Sequence, residues 1–191
     1  MLKRIIVTTI LIFFAHTVSA EWFSNNFKVM GTQAHMEFWL DESKKVNNTS
    51  QQLIELVQAE MHRIDLAMSP YKETSELSLV NAKAGTETVV ITSELFELLI
   101  ESQKIAELSD GAFDITYASV GYQYDYRKKQ KPNQASIDSA LKAIDYHAVI
   151  LDREKSTVRF SHPDVKIDLG GIAKGYAVKR CLKLLKIAGI K

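Results

Sequence analysis

The chain has 191 residues, 46% of them hydrophobic and 25% charged, with only 8 glycines and 3 prolines; such proportions exclude a disordered or collagen-like chain and suit one domain with a sizeable core. Basic and acidic residues, 24 against 23, nearly cancel to a net charge of +1 with no basic arm, which argues against a nucleic-acid partner. A single cysteine, Cys181, rules out an internal disulfide framework and a cysteine-based zinc site.

The N-terminus has the layout of a secretory signal peptide. Lys3 and Arg4 precede an apolar run over residues 5–15, and Val18-Ser19-Ala20 puts small residues before Glu21. That run is shorter than the roughly 20 residues a bilayer core requires. Residues 1–20 are therefore expected to be a cleaved leader and residues 21–191 a single exported domain. Its destination is a bacterial periplasm or the outer face of the inner membrane, with the mature chain peripheral to the membrane at most.

Ala34, Met36, Phe38 and Leu40 alternate with His35, Glu37 and Trp39, which predicts a strand. A polar loop follows over residues 41–50. Thr49 or Ser50 then caps a helix whose apolar face is Leu53, Ile54, Val57, Met61, Ile64 and Met68. Ser69-Pro70-Tyr71 breaks it. Residues 88–91 form a β-branched run suited to a short buried strand. Thr92 or Ser93 caps a second helix carrying Leu95, Phe96, Leu99 and Ala106, and Asp110-Gly111 ends it. A third helix is expected from Ser136, a hairpin from residues 147–151 and 157–160, and a strand over residues 166–169. Gly170-Gly171 leads into a last helix through Ile187. The order predicts an α+β (mixed α/β) fold.

Four segments could carry chemistry. In Asp168-Leu169-Gly170-Gly171-Ile172-Ala173-Lys174 a carboxylate ends a strand, two glycines allow close backbone approach, and a helix opens with a lysine in its first turn. Free N–H groups beside a cation suit a phosphate, although neither the Walker spacing nor G-x-G-x-x-G is present. In Gly111-Ala112-Phe113-Asp114 an aromatic ring and a carboxylate could stack on and hydrogen-bond a purine-like ring, or serve simply as core and cap. Met30-Gly31-Thr32 would let backbone approach a ligand. Ser69 and Lys72 match the S-x-x-K of serine acyl-transfer enzymes, without the supporting S-D-N and K-T-G elements.

Taken together, Met30-Gly31-Thr32, Met68-Ser69-Pro70-Tyr71, Ser75-Glu76-Leu77 with Asn81, residues 111–116 and residues 168–177 resemble the FAD:protein FMN transferase (ApbE) family. The resemblance extends over residues 27–190. It implies an enzyme that binds FAD and magnesium and transfers FMN to a threonine of a membrane-bound redox subunit, releasing AMP. It further implies that Met30, Tyr71, Ala112, Phe113, Asp114, Asp168 and Lys174 line the FAD site, and that the Gly171 carbonyl touches the metal. The family continues past the position of Lys191, through an Asp/Thr pair that completes the metal site. By that resemblance the chain is the N-terminal part of such a domain. Two weaker expectations stand beside it: a flavin-binding remnant or FAD-hydrolysing relative, and acyl transfer through Ser69 and Lys72.

Overall fold

A computed structural model describes residues 20–41, 48–125 and 128–190. The expected leader lies outside them, apart from Ala20, and so does most of the loop expected after Asp41. β1 (Ala20–Val29) and β2 (Thr32–Asp41) form an antiparallel hairpin, in register from Ala20↔Asp41 to Val29↔Thr32. Met30 and Gly31, at φ 51° and 70°, make its turn. Two consecutive left-handed residues match the twist of the flanking strands. One face of the hairpin, with Phe23, Phe27, Val29, Ala34 and Met36, packs on the core, and Phe38 and Leu40 are buried in it. β2 matches the predicted alternation. β1 was not expected, because Ser24, Asn25 and Asn26 interrupt its apolar pattern. Asn25 faces α1, where its carbonyl accepts from Gln58 Nε2 at 3.0 Å.

α1 (Ser50–Met68) buries the six residues that its periodicity named. Thr49 and Gln52 close a capping box at its start, an arrangement worth about 1 kcal/mol. The chain then enters α2 (Glu76–Lys83), capped by Ser75 and burying Leu77, Val80 and Asn81. This helix was not expected; at eight residues it is too short to show a clear period. β3 is reduced to Val89–Val90, and α3 (Ser93–Leu108) follows with Thr92 as its cap. Asp110 and Gly111 are both left-handed, and Gly111 N–H returns to Ala106 O at 2.8 Å, closing α3.

Next come a 3-10 turn (Ile115–Tyr117), the short α4 (Ala118–Gly121) and α5 (Gln134–Leu141). The cap of α5 is Asn133, so the helix begins two residues before the expected Ser136. β4 (Val149–Asp152) and β5 (Thr157–Phe160) form the expected hairpin, and β3 adds to β5, giving an antiparallel order β3-β5-β4. α6 (Ala173–Ile187) packs along α1 through Ala173, Ala177, Cys181 and Leu185.

The strand expected over residues 166–169 is not one. Val165, Ile167 and Leu169 are fully buried, as a strand pattern would have them, yet the segment's hydrogen bonds go to side chains and loop backbone instead of a neighbouring strand. Asn81 Nδ2 donates to Ile167 O and its Oδ1 accepts from Ile167 N–H, both at 2.8 Å. Ser119 Oγ accepts from Lys166 N–H at 3.0 Å, and Asp168 N–H donates to Ile115 O at 3.0 Å. The segment is an extended strap across the core, leading straight into α6.

A candidate ligand cavity at the start of the last helix

The strap delivers Asp168 and Gly171 to one wall of a cavity of about 410 Å³, inside the range of about 300–1,000 Å³ usual for small-molecule sites. The segment after α3 supplies the other wall, through Gly111, Ala112, Phe113, Asp114, Ile115 and Tyr117. Two stretches more than fifty residues apart in sequence thus meet here.

Phe113 is half-buried and lies against Gly171. A Cβ built on Gly171 would sit 3.1 Å from the ring, so the glycine sets how closely strap and ring approach. Asp114 caps the 3-10 turn: its Oδ1 accepts from Thr116 N–H at 2.7 Å and from Thr116 Oγ1 at 2.6 Å. Thr116 Oγ1 accepts in turn from Asp145 N–H at 2.8 Å, which ties the cavity wall to the turn before β4. The capping reading of Asp114 therefore holds, and the same residue lines the cavity wall beside Phe113.

Asp168 is buried, and each carboxylate oxygen has a donor. Oδ1 accepts from Gly170 N–H at 2.6 Å, and Oδ2 faces the Tyr122 hydroxyl at 3.2 Å. That hydroxyl also lies 2.9 Å from Ile167 O. Burial, and then the charge of Asp168, push the Tyr122 phenol well above its ordinary range, so it stays a proton donor at any physiological pH. Nothing in the spacing of the sequence marks Tyr122 or Ser119 as supports of this site.

The structure does not bring all the expected residues to one cavity. Met30 lines a separate cavity of about 680 Å³ at the hairpin tip, with Lys28, Thr32, His62 and Asp65. Tyr71 is 85% exposed and lines neither cavity. Lys174 stands exposed in the first turn of α6, whose start has no side-chain cap. The acyl-transfer pair is not assembled for that chemistry. Lys72 Nζ is held by Asp65 Oδ2 at 2.7 Å, while Ser69 Oγ accepts from Tyr71 N–H at 3.3 Å.

Further along α6, an ion-pair network clasps the helix to α1 and α3. Arg63 bonds both oxygens of Glu94 at 2.6 and 2.7 Å and reaches Glu60 at 2.8 Å. Arg180 Nε donates to Glu60 at 3.0 Å, and the Tyr176 hydroxyl donates to Glu94 at 2.6 Å. The Arg63 hydrogen bond holds the Glu60 carboxyl at about 2 against the cost of burial, and Arg180 adds to it. On Tyr176, burial first and the Glu94 bond second raise the phenol to about 12.

The model of the ApbE family matches residues 30–191, most of the chain. The chain belongs to the ApbE family. It is 30% identical over 166 residues to the FAD:protein FMN transferase of Haemophilus influenzae, covering 83% of this chain and 47% of that protein. To the Escherichia coli FAD:protein FMN transferase it is 27% identical over 171 residues, covering 85% of this chain and 47% of the other. Among solved structures, the ApbE protein of Thermotoga maritima superposes with a TM-score of 0.77 at 29% identity, covering 87% of this chain and 53% of that one. The flavin transferase ApbE from Vibrio cholerae gives 0.81 at 20% identity, covering 90% and 55%. The mixed α/β architecture is thus the ApbE fold, and the chain spans about half the length of the relatives it matches.

Proposed function

We propose that this chain carries flavin-nucleotide recognition for an FAD:protein FMN transferase. The observation that supports the reading most is the cavity where Phe113 and Asp114 meet Asp168 and Gly171, since these are the segments in which the sequence resembles the family. In the reaction proposed, a threonine hydroxyl of an acceptor protein attacks the FMN phosphorus of FAD. The new P–O bond links FMN to the threonine, the pyrophosphate P–O bond breaks, AMP leaves, and the hydroxyl proton passes to solvent. Such a transfer depends mainly on positioning and on neutralising phosphate charge. Phe113 offers a ring face and Asp114 a carboxylate to the adenosine end. Lys174, at the positive end of α6, is suited to the pyrophosphate. Met30 and Tyr71 would join from the hairpin and the α1–α2 turn as further contacts to the flavin.

Magnesium belongs to the proposal through the family resemblance alone. The described residues offer the Gly171 carbonyl, but both oxygens of neighbouring Asp168 already accept hydrogen bonds, and among the described residues no three His, Cys, Asp or Glu side chains cluster. They do not compose a metal site. The proposed acceptor is a subunit of a membrane redox complex, met on the exported side. Intact mass of the exported protein tests that part: a chain starting at Glu21 supports it, and a retained Met1 contradicts it.

The deciding experiment has two readouts. Titration of the 191-residue chain with FAD, followed by flavin fluorescence, tests recognition. Incubation with FAD, a threonine-bearing acceptor, and magnesium or chelator, scored by in-gel flavin fluorescence, tests transfer. Binding with magnesium-dependent labelling supports the transferase. Binding without labelling supports a flavin-binding protein that does not transfer by itself, and no binding refutes the reading.

A further inference from the structure

The Tyr122 hydroxyl has one proton and two acceptors within reach. Ile167 O, at 2.9 Å, already accepts from Asn81 Nδ2 at 2.8 Å. Asp168 Oδ2, at 3.2 Å, has no other donor among the described residues. Asp168 lines the cavity, whereas Tyr122, 40% exposed, does not. Leaving a buried carboxylate oxygen without a donor costs more than leaving a carbonyl that keeps one bond. In the free protein the proton therefore belongs with Asp168.

We propose that Tyr122 is a positioning residue for the cavity: its hydroxyl pairs Asp168 Oδ2 in the free protein and turns to Ile167 O when a hydroxyl or N–H of a bound nucleotide takes that oxygen. The second acceptor matters physically. A ligand that displaces a buried hydrogen bond normally orphans the donor, and the desolvated donor then opposes binding. Here the displaced hydroxyl finds Ile167 O by rotating about its C–O bond, with no movement of the backbone. Gly170 N–H meanwhile keeps Oδ1 fixed at 2.6 Å, so the carboxylate does not swing as its outer oxygen changes partner. Tyr122 thus holds Asp168 in place in the free protein and gives up its outer oxygen at the cost only of exchanging a charged acceptor for a neutral one.

This inference rests on the flavin-nucleotide reading, and a double-mutant cycle tests it in the 191-residue chain. The variants are Tyr122→Phe, Asp168→Asn and both together, each titrated with FAD and each melted without ligand. Tyr122→Phe is expected to tighten FAD binding by about two- to tenfold, because the free variant lacks the hydroxyl bond to charged Asp168 that the ligand otherwise displaces, while the bound state loses only the weaker bond to Ile167 O. In the Asp168→Asn background the same change is expected to alter affinity less than twofold, since no charged acceptor remains to be given up. A tyrosine that merely propped the strap through Ile167 O would cost the same factor in both backgrounds, and that result overturns the proposal. If the wild-type chain binds no FAD, the flavin reading fails on its own, and the melting cycle still decides the pairing. Non-additive losses of melting temperature then support the Tyr122–Asp168 bond, and additive losses overturn it.

Discussion

Removing the Asn81 side chain should be among the most damaging single changes in this chain, although it touches no ligand. Asn81 is buried, and its amide makes both hydrogen bonds to the backbone of Ile167, itself fully buried, at 2.8 Å each. In Asn81→Leu the volume is nearly kept and both bonds are lost. The Ile167 N–H is left unsatisfied, at about 1–3 kcal/mol. The Ile167 carbonyl has the Tyr122 hydroxyl 2.9 Å away, free to turn to it, so its loss is nearer about 0.5–1.5 kcal/mol. The expected total is about 2–4 kcal/mol, or roughly 5–15 °C in melting temperature for a domain of this size. Asn81→Ala adds a small cavity to the same loss. Thermal and urea unfolding of the three proteins measures the costs. If Asn81→Leu unfolds within about 0.5 kcal/mol of wild type while Asn81→Ala falls well below it, Asn81 serves as filling and the account of the strap is wrong.

Three further outcomes follow from the same geometry. Because Glu60 titrates near 2, below its ordinary 4.5, the folded state favours its ionised form; that stabilisation is complete above about pH 4.5 and drains away as pH falls toward about 2. Arg63→Met removes the main cause, so its melting temperature should fall less steeply with acidification over that window, and identical slopes would refute the assignment. Gly171→Ala puts a methyl 3.1 Å from the Phe113 ring, an overpacking of about 1 kcal/mol or more; FAD titration should show about five- to tenfold weaker binding, and an unchanged affinity would clear the ring of any role. Lys174→Ala should weaken FAD binding in a salt-dependent way and leave stability within about 0.5 kcal/mol, whereas Asp114→Ala should lose affinity and about 0.5–2 kcal/mol of stability together, because it is also a cap. Paired melting and titration curves separate the two.

The elements that were legible in the sequence are those whose signal is local. α1 announced itself through six apolar residues at helical spacing and through Thr49, and α3 through Thr92 and the Asp110-Gly111 stop. Helix periods and caps are written in neighbouring residues, so a linear reading finds them. The motifs around Phe113, Asp114 and Asp168 were legible for a different reason, since residue types in a fixed order carry a resemblance even before their spatial relation is known.

By itself the sequence determined the mixed α/β class, the family, and the two segments that wall the cavity. Tertiary structure decided what those segments do to each other. It made a strand of the Ser- and Asn-bearing β1 by pairing it with β2 and setting Asn25 against Gln58 of α1. The expected strand over residues 166–169 became a strap instead, because side chains of Asn81 and Ser119 reached its backbone first. It separated Met30 from Phe113 and gave Lys72 to Asp65. The physical reason is one of range. Propensity and periodicity act over a turn or two of chain, whereas Asn81 meets Ile167 and Tyr122 meets Asp168 across 86 and 46 residues, and only the folded core fixes which polar groups must satisfy one another there.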